Sequence, residues 1–258
     1  MGRTATPVSR THRDCDNLGE MEIRLEWGPN GAQSLARWGD VLVIVDVFSF
    51  STSVSVAASR NVQVWPSPMN EGAASLAREI GAQLARGRRT GTGPTLSPVS
   101  LSTLEEGSRL VLPSPNGSAI SHAAVKEGVH AVAGCLRNAA AVAEYLSQFD
   151  RVGLVPAGER WADNGLRPAY EDWVGAGAIA DAVQSRDGEV ALSPEAEAAA
   201  LAFWARRPLE QSSTGHGLVE KGFADDVRLA QEVDGDAAVP LLRGGRYVTW
   251  QPGETSAA

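Results

Sequence analysis

Short apolar runs alternate with alanine-rich amphipathic segments along most of the chain. The run Val41–Val47 is nearly continuous and rich in β-branched residues, which is typical of a strand buried on both faces. The segment Glu71–Arg86 places Leu76, Ile80 and Leu84 four positions apart, and this spacing predicts an amphipathic helix. The repeated order of strand, loop and helix predicts an α/β fold, a three-layer α/β/α sandwich with a mainly parallel or mixed sheet.

The folded part of the chain is predicted to begin near Met21. Residues 1–20 are polar, without apolar periodicity and without the apolar core of a secretory signal, so we expect a disordered leader there. Residues 21–258 contain no internal repeat and no clear linker, so we expect a single α/β domain. The segment Gly87–Ser102 is rich in Gly, Pro, Ser and Thr, which predicts a loop.

Charge and cysteine content narrow the class of protein. The chain carries 31 acidic and 23 basic side chains, a net charge of −8, which argues against a nucleic-acid binder. No apolar run approaches the ~18 residues of a membrane span. Cys15 and Cys135 lie too far apart in sequence to suggest a disulfide framework or a metal motif, so we expect a cytoplasmic protein. The sequence is compatible with a homo-oligomer.

Polar or small residues follow four of the predicted strands, at the point where each strand ends. Ligands of open α/β sheets bind beyond the carboxyl ends of the strands, so these residues are expected to share one site. The candidates are Asp46, Ser49, Ser51 and Thr52, then Ser114, Asn116, Gly117 and Ser118, then Asn138, and finally Gly158, Glu171 and Asp172.

Two kinds of ligand suit these residues. Small residues at helix N-termini leave backbone N–H groups able to hold an anion such as phosphate. Carboxylates such as Asp46, Glu171 and Asp172 are the ligands that Mg²⁺ prefers. Each feature also has a structural explanation, because Asp46 could cap the next helix, Asn116-Gly117 is a common turn dipeptide, and first-turn acids are favoured by the helix dipole.

The sequence gives less support to other kinds of functional site. No G-x-x-x-x-G-K-[ST] sequence occurs, which argues against a nucleotide-binding P-loop. The four histidines are not spaced like a zinc site, and His216 is either a solvated loop residue or, with Ser213, a neighbour of the site. Arg86, Arg88 and Arg89 form either a solvated face or an anion clamp.

Five collinear segments of the chain read VIVDVFSFSTS, LPSPNGSAI, CLRNAAAVA, VPAGERW…YEDWVGAGAI and STGHGLVEKGFADDV…AVPLL. With these segments the chain resembles the 2-phosphosulfolactate phosphatase family over about residues 22–242. The resemblance implies a Mg²⁺-dependent acid phosphatase of coenzyme M biosynthesis, which hydrolyses 2-phosphosulfolactate to sulfolactate and phosphate. The implied partner is a small anionic phosphoester, and neither a nucleic acid nor a membrane is expected.

The resemblance also implies residue roles. Asp46, Glu171 and Asp172 are expected to hold the metal and to act in catalysis, and the other candidates are expected to bind the substrate phosphate. Two positions depart from the family pattern, since Ser49 stands where an arginine is expected and the Gly-Glu-Arg loop lacks its glutamate. Arg86 or Arg88 could replace the lost positive charge. The alternative function is a catalytically impaired homologue that binds a small anion.

Overall fold

Twelve strands are present in the computed structural model, which describes residues 21–89 and 93–251. The predicted leader over residues 1–20 lies outside the described residues, and the single-domain boundary at residues 21–258 stays a prediction. The strands are β1 (Met21–Leu25), β2 (Val41–Val45), β3 (Gln63–Ser67), β4 (Gln83–Leu84), β5 (Arg109–Pro113), β6 (His130–Gly134), β7 (Arg151–Pro156), β8 (Glu159–Arg160), β9 (Leu166–Arg167), β10 (Val190–Leu192), β11 (Pro240–Arg243) and β12 (Arg246–Thr249).

Ten α-helices connect these strands within the described residues. Two short 3₁₀ helices, Leu136–Asn138 and Leu209–Gln211, add to them. None of the described helices has the length and apolar character needed to cross a lipid bilayer. The α-helices are α1 (Gly28–Ala36), α2 (Phe50–Ala58), α3 (Glu71–Glu79), α4 (Pro98–Leu101), α5 (Gly117–Glu127), α6 (Ala139–Leu146), α7 (Tyr170–Asp187), α8 (Pro194–Trp204), α9 (Ser213–Glu220) and α10 (Ala224–Ala230).

Ten of the strands form one mixed sheet in the order β10-β1-β7-β2-β6-β11-β12-β3-β5-β4. Strands β10, β1, β7, β2 and β6 run parallel to one another. The hairpin of β11 and β12 pairs antiparallel with β6 on one side and with β3 on the other, so β3, β5 and β4 run opposite to the first group. Strands β8 and β9 form a separate antiparallel hairpin. The predicted α/β class with a mixed sheet is confirmed.

Strand β2 lies in the middle of the sheet and is buried on both faces, as its sequence predicts. Val41, Val43 and Val45 pack into a core shared with α6, α7 and α8. Leu42 and Ile44 point to the opposite face, where they pack with residues of α1 and α5. Helices therefore cover both faces of the sheet, which confirms the three-layer α/β/α sandwich.

The segment around residue 80 differs from its prediction. The helix predicted over Glu71–Arg86 ends at Glu79, where Gly81 adopts a left-handed φ of 64°. Gln83 and Leu84 then extend along β5, so Leu84 matches helical spacing but lies in a strand. The loop prediction further along is also wrong in part, because α4 forms within it, and residues 90–92 lie outside the described residues.

Candidate active site

A cavity of about 340 Å³ lies at the carboxyl ends of β2 and β7. These two strands are neighbours, with Val45 opposite Pro156 in the register, so the loops that follow them lie side by side. The cavity combines side chains of both charges, namely the acids Asp46, Glu159, Glu171 and Asp172 and the cations Arg88, Arg167 and Lys221.

Asp172 joins the two loops that form the cavity floor. Its Oδ1 accepts a hydrogen bond from the backbone N–H of Val47 at 2.7 Å, and its Oδ2 accepts one from Gly158 at 2.9 Å. Helix α7 begins at Tyr170, so Asp172 lies in the first helical turn, where the helix dipole favours negative charge. The carboxylate is therefore fixed in position, with both oxygens engaged.

Asp46 directly follows β2, and its own loop holds it. Its Oδ1 accepts the backbone N–H of Phe50 at 3.1 Å. The Ser51 hydroxyl accepts the Asp46 N–H at 3.0 Å and donates to the Ile44 carbonyl at 2.7 Å. The Thr52 hydroxyl donates to the Val47 carbonyl at 2.6 Å. Ser51 and Thr52 are thus buried beneath the cavity and shape the loop that presents Asp46.

The turn after β5 reaches the same carboxylate. The backbone N–H of Gly117 lies close enough to Asp46 to lower the pKa of that carboxyl. A Cβ atom at Gly117 would collide with the Phe50 ring, so only glycine permits this approach. β5 runs opposite to β2, so this contact is made by the turn after β5 and not by two neighbouring parallel strand ends.

The remaining predicted residues occupy three different settings. Ser49, Gly158 and Glu171 line the cavity with Asp46 and Asp172, and Asn116 accepts a 3.4 Å hydrogen bond from Arg160 next to Gly117. Ser114 and Ser118 bond within the turn, since Ser114 Oγ accepts the Gly117 N–H and Ser118 Oγ donates to the Ser114 carbonyl. The catalytic and metal-binding role of Glu171 and the phosphate-binding roles of the other residues stay predictions.

Asn138 lies behind the cavity and is committed to backbone groups. Its Oδ1 accepts the Cys135 N–H at 2.9 Å, and its Nδ2 donates to the carbonyls of Ala133 and Ala238 at 3.2 and 3.0 Å. It is fully buried and does not line the cavity. The structure thus shows Asn138 joining the end of β6 to the segment before β11.

Burial and mutual repulsion raise the pKa values of three acidic residues in the cavity. Burial, followed by the charge of Glu159, raises the pKa of Asp46 from 3.8 to about 7. Burial, followed by the charges of Asp46 and Glu171, raises the pKa of Asp172 well above its ordinary value. Burial and Glu171 also raise the pKa of Glu159, against the opposing effects of Arg167, Arg88 and Lys221. The cluster therefore favours a bound proton or a cation.

The acidic residues of the cavity have the ligand atoms that Mg²⁺ prefers, but they do not form a closed ligand cage. Among the described residues, no three His, Cys, Asp or Glu side chains are arranged around one point where a metal ion would lie. Mg²⁺ is usually held by one or two carboxylates together with water and substrate phosphate oxygens. A set of buried carboxylates with raised pKa values, beside cationic side chains, fits that mode.

Sequence reasoning missed several residues of the cavity. Glu159 directly follows Gly158, so its position after a predicted strand could have marked it as a candidate site residue. Arg167 comes from β9, where it lies opposite Glu159 and donates a 3.0 Å hydrogen bond to Thr214. Lys221 follows α9 and reaches the cavity only through tertiary packing. No local pattern marks either cation.

The two arginines proposed to replace a lost charge have different positions. Arg86 pairs through its backbone with Thr95 and does not line the cavity. Arg88 does line it, and its guanidinium donates to the Phe48 carbonyl, one residue before Ser49. The segment after β4 therefore supplies a positive charge to the cavity, next to Ser49.

A known family model covers most of the chain. Residues 30–245 match the family model described as 2-phosphosulpholactate phosphatase. The chain belongs to this family. The matched span contains every residue that lines the cavity, from Asp46 to Lys221. Membership in the 2-phosphosulpholactate phosphatase family confirms the predicted resemblance, and the family name describes phosphatases, which hydrolyse phosphoric monoesters.

Proposed function

We propose that the chain hydrolyses a small phosphomonoester in this cavity, with 2-phosphosulfolactate as the first candidate substrate. The observation that carries the proposal is the cavity itself, in which a buried acidic cluster faces three cations within a chain of a phosphatase family. Cationic side chains favour an anionic substrate, and buried carboxylates supply groups for metal binding and proton transfer.

We place the substrate phosphate in this cavity, among its acidic and cationic side chains. Ser49 and Gly158 line the cavity with small side chains, which leaves room for a phosphoryl group beside Asp46. Gly158 must be glycine, because its φ is 67° and a Cβ atom would lie 2.9 Å from the Arg167 carbonyl. Arg167 and Lys221 line the same cavity and attract the anion electrostatically.

One or two of the carboxylates of Asp46, Glu171 and Asp172 would hold Mg²⁺, and water and phosphate oxygens would complete its ligands. Bound there, Mg²⁺ supplies positive charge that polarises the phosphoryl oxygens and offsets charge on the leaving oxygen. The Ser212 hydroxyl donates a 3.1 Å hydrogen bond to Glu171 Oε2, and the two backbone N–H groups on Asp172 orient that carboxylate. These bonds fix the acids before any ligand binds.

Glu159 is the group that we assign to proton transfer. Its pKa is raised by burial and by Glu171, so it holds a proton to a higher pH than an exposed glutamate does. A neutral acid at the cavity wall can donate this proton to the departing alcohol oxygen. Glu159→Gln is expected to slow hydrolysis of an alkyl phosphate strongly and of p-nitrophenyl phosphate weakly, because nitrophenolate leaves without protonation. Equal slowing of both substrates would remove Glu159 from this role.

A panel of phosphomonoesters tests the proposed function. The purified chain is incubated with 2-phosphosulfolactate and other small phosphorylated hydroxy acids, with Mg²⁺ or with EDTA, and released phosphate is measured. The proposal predicts release that needs Mg²⁺ and is lost in Asp46→Ala. No release from any substrate, together with a thermal shift caused by the same anions, would instead identify an anion-binding homologue.

A further inference from the structure

The guanidinium of Arg88 is held at the cavity by three separate groups. Its Nε donates to Asp226 Oδ2 at 3.0 Å, and its Nη2 donates to the Phe48 carbonyl. The ring of Phe223 lies beneath it, with the guanidinium carbon 5.8 Å from the ring centroid. These contacts come from the loop after β2 and from the start of α10, so Arg88 is fixed between two distant parts of the chain.

This arrangement leaves part of the guanidinium able to bind a ligand. Arginine carries five N–H donors, and the two hydrogen bonds to Asp226 and Phe48 occupy only two of them. The Arg88 side chain is 19% exposed and lines the same cavity as Asp46 and Ser49. A planar guanidinium that is already oriented matches the oxygens of a phosphoryl group.

Asp226 contacts Arg88 from outside the cavity. Its side chain is only 3% exposed, its Oδ2 accepts from Arg88, and its Oδ1 accepts from the Ser97 hydroxyl. Asp226 does not line the cavity, so it does not touch a ligand bound there. A buried carboxylate is costly unless it is paired, and the Arg88 guanidinium supplies the pairing charge.

We propose that Arg88 binds the phosphoryl group of the substrate and that Asp226 is the positioning residue that orients it. The inference rests on the proposed function, because it assigns a substrate contact within the same cavity. It differs from a purely structural ion pair, which would only join the segment after β4 to α10. The two roles separate in binding measurements.

The experiment compares four variants with the wild-type chain. Calorimetry with inorganic phosphate in the presence of Mg²⁺ gives the dissociation constant, and KM and kcat are measured with the best substrate of the panel. The variants are Arg88→Ala, Asp226→Asn, the double variant Arg88→Met with Asp226→Leu, and the control Asp225→Asn. Asp225 is next in sequence, 71% exposed and paired with Arg228 at the surface, so it matches Asp226 in everything except burial and its partner.

Arg88→Ala is expected to raise the phosphate dissociation constant and KM at least about tenfold, because charged hydrogen bonds to phosphate are lost. Guanidinium chloride at millimolar concentration should restore part of the lost affinity. Asp226→Asn should raise the phosphate dissociation constant about threefold or more, because a guanidinium that is not held in position binds phosphate less well. Asp225→Asn should bind phosphate as the wild type does.

The double variant guards against loss of folding. Replacing a buried ion pair by apolar side chains of similar size usually preserves stability, so this variant is expected to melt near the wild-type temperature. Our proposal predicts that this folded double variant binds phosphate more weakly than the wild type does. A double variant with wild-type phosphate affinity would show that the pair only supports the fold, and would overturn the inference.

Failure of this inference is distinguishable from failure of the proposed function. If the wild type hydrolyses phosphomonoesters and Arg88→Ala keeps the same KM and phosphate affinity, the function stands and the role of Arg88 is refuted. If the wild type neither binds phosphate nor releases it from any substrate, both proposals are refuted together.

Discussion

The most informative perturbation of the site is Asp46→Asn in the metal-free chain. Asp46 has a pKa of 3.8 in an exposed setting and about 7 in the folded protein. The folded state therefore keeps its proton to a higher pH than the unfolded state does. The stability that this group contributes is fully present below about pH 4 and is lost as pH rises towards 7.

The size of the effect follows from the shift. A difference of about three pKa units corresponds to about 4 kcal/mol in the free energy of unfolding, at 1.36 kcal/mol per unit. Asp172 and Glu159 have raised pKa values for similar reasons, so the wild type should lose still more than this over the same range. Asp46→Asn removes one charge from the cluster and also relieves Asp172, because the Asp46 charge is one cause of its shift.

Urea unfolding in EDTA measures this difference. The free energy of unfolding is determined at about pH 4 and about pH 8 for the wild type, for Asp46→Asn and for the exposed control Asp225→Asn. The loss between the two pH values should be smaller in Asp46→Asn by at least about 4 kcal/mol and unchanged in the control. The amide oxygen still accepts the Phe50 N–H, so the loop is kept. Equal pH dependence in all three proteins would refute the argument that Asp46 is buried at a cost.

Three further outcomes follow from the same contacts. Gly117→Ala should lower the free energy of unfolding by about 1–3 kcal/mol because its Cβ meets the Phe50 ring, whereas Gly217→Ala, with open space around it, should not destabilise; equal urea midpoints would contradict this. Ser212→Ala should cost about 1 kcal/mol, since it removes the N-cap of α9 and the donor to Glu171, and an unchanged midpoint would count against that role. Mg²⁺ should raise the melting temperature of the metal-free chain near pH 8, and EDTA should reverse the rise; no shift would argue against a cation in the acidic cluster.

Local sequence predicted the elements that carry a strong periodic signal. The β-branched run at Val41–Val45 is a central strand because its composition and its burial on both faces agree. The predicted helix beyond Glu79 failed because the four-residue spacing continued by coincidence into Leu84, where pairing with β5 decided the structure. Strand β4 contains only two residues, so no periodic pattern could reveal it.

Local sequence likewise located some residues of the candidate site and not others. Asp46, Glu171 and Asp172 follow predicted strands or open a predicted helix, and the topology brings strand ends together, so the sequence located them. Arg88 was one of three arginines that the sequence offered as an anion clamp, whereas Arg167 and Lys221 reach the cavity from segments without any such signal. The hydroxyls of Ser51 and Thr52 were expected to face a ligand, whereas each donates to a backbone carbonyl nearby, a choice that only the folded loop determines.

The central claim is that this cavity hydrolyses phosphomonoesters with its buried carboxylates. The most direct measurement is phosphate release from 2-phosphosulfolactate with Mg²⁺, compared among the wild type, Asp46→Asn and Asp225→Asn. The account predicts turnover in the wild type and in the surface control, and turnover lost in Asp46→Asn although that variant is folded. Phosphate release by Asp46→Asn at the wild-type rate would contradict it, because the reaction would then proceed without the carboxylate on which the site is built.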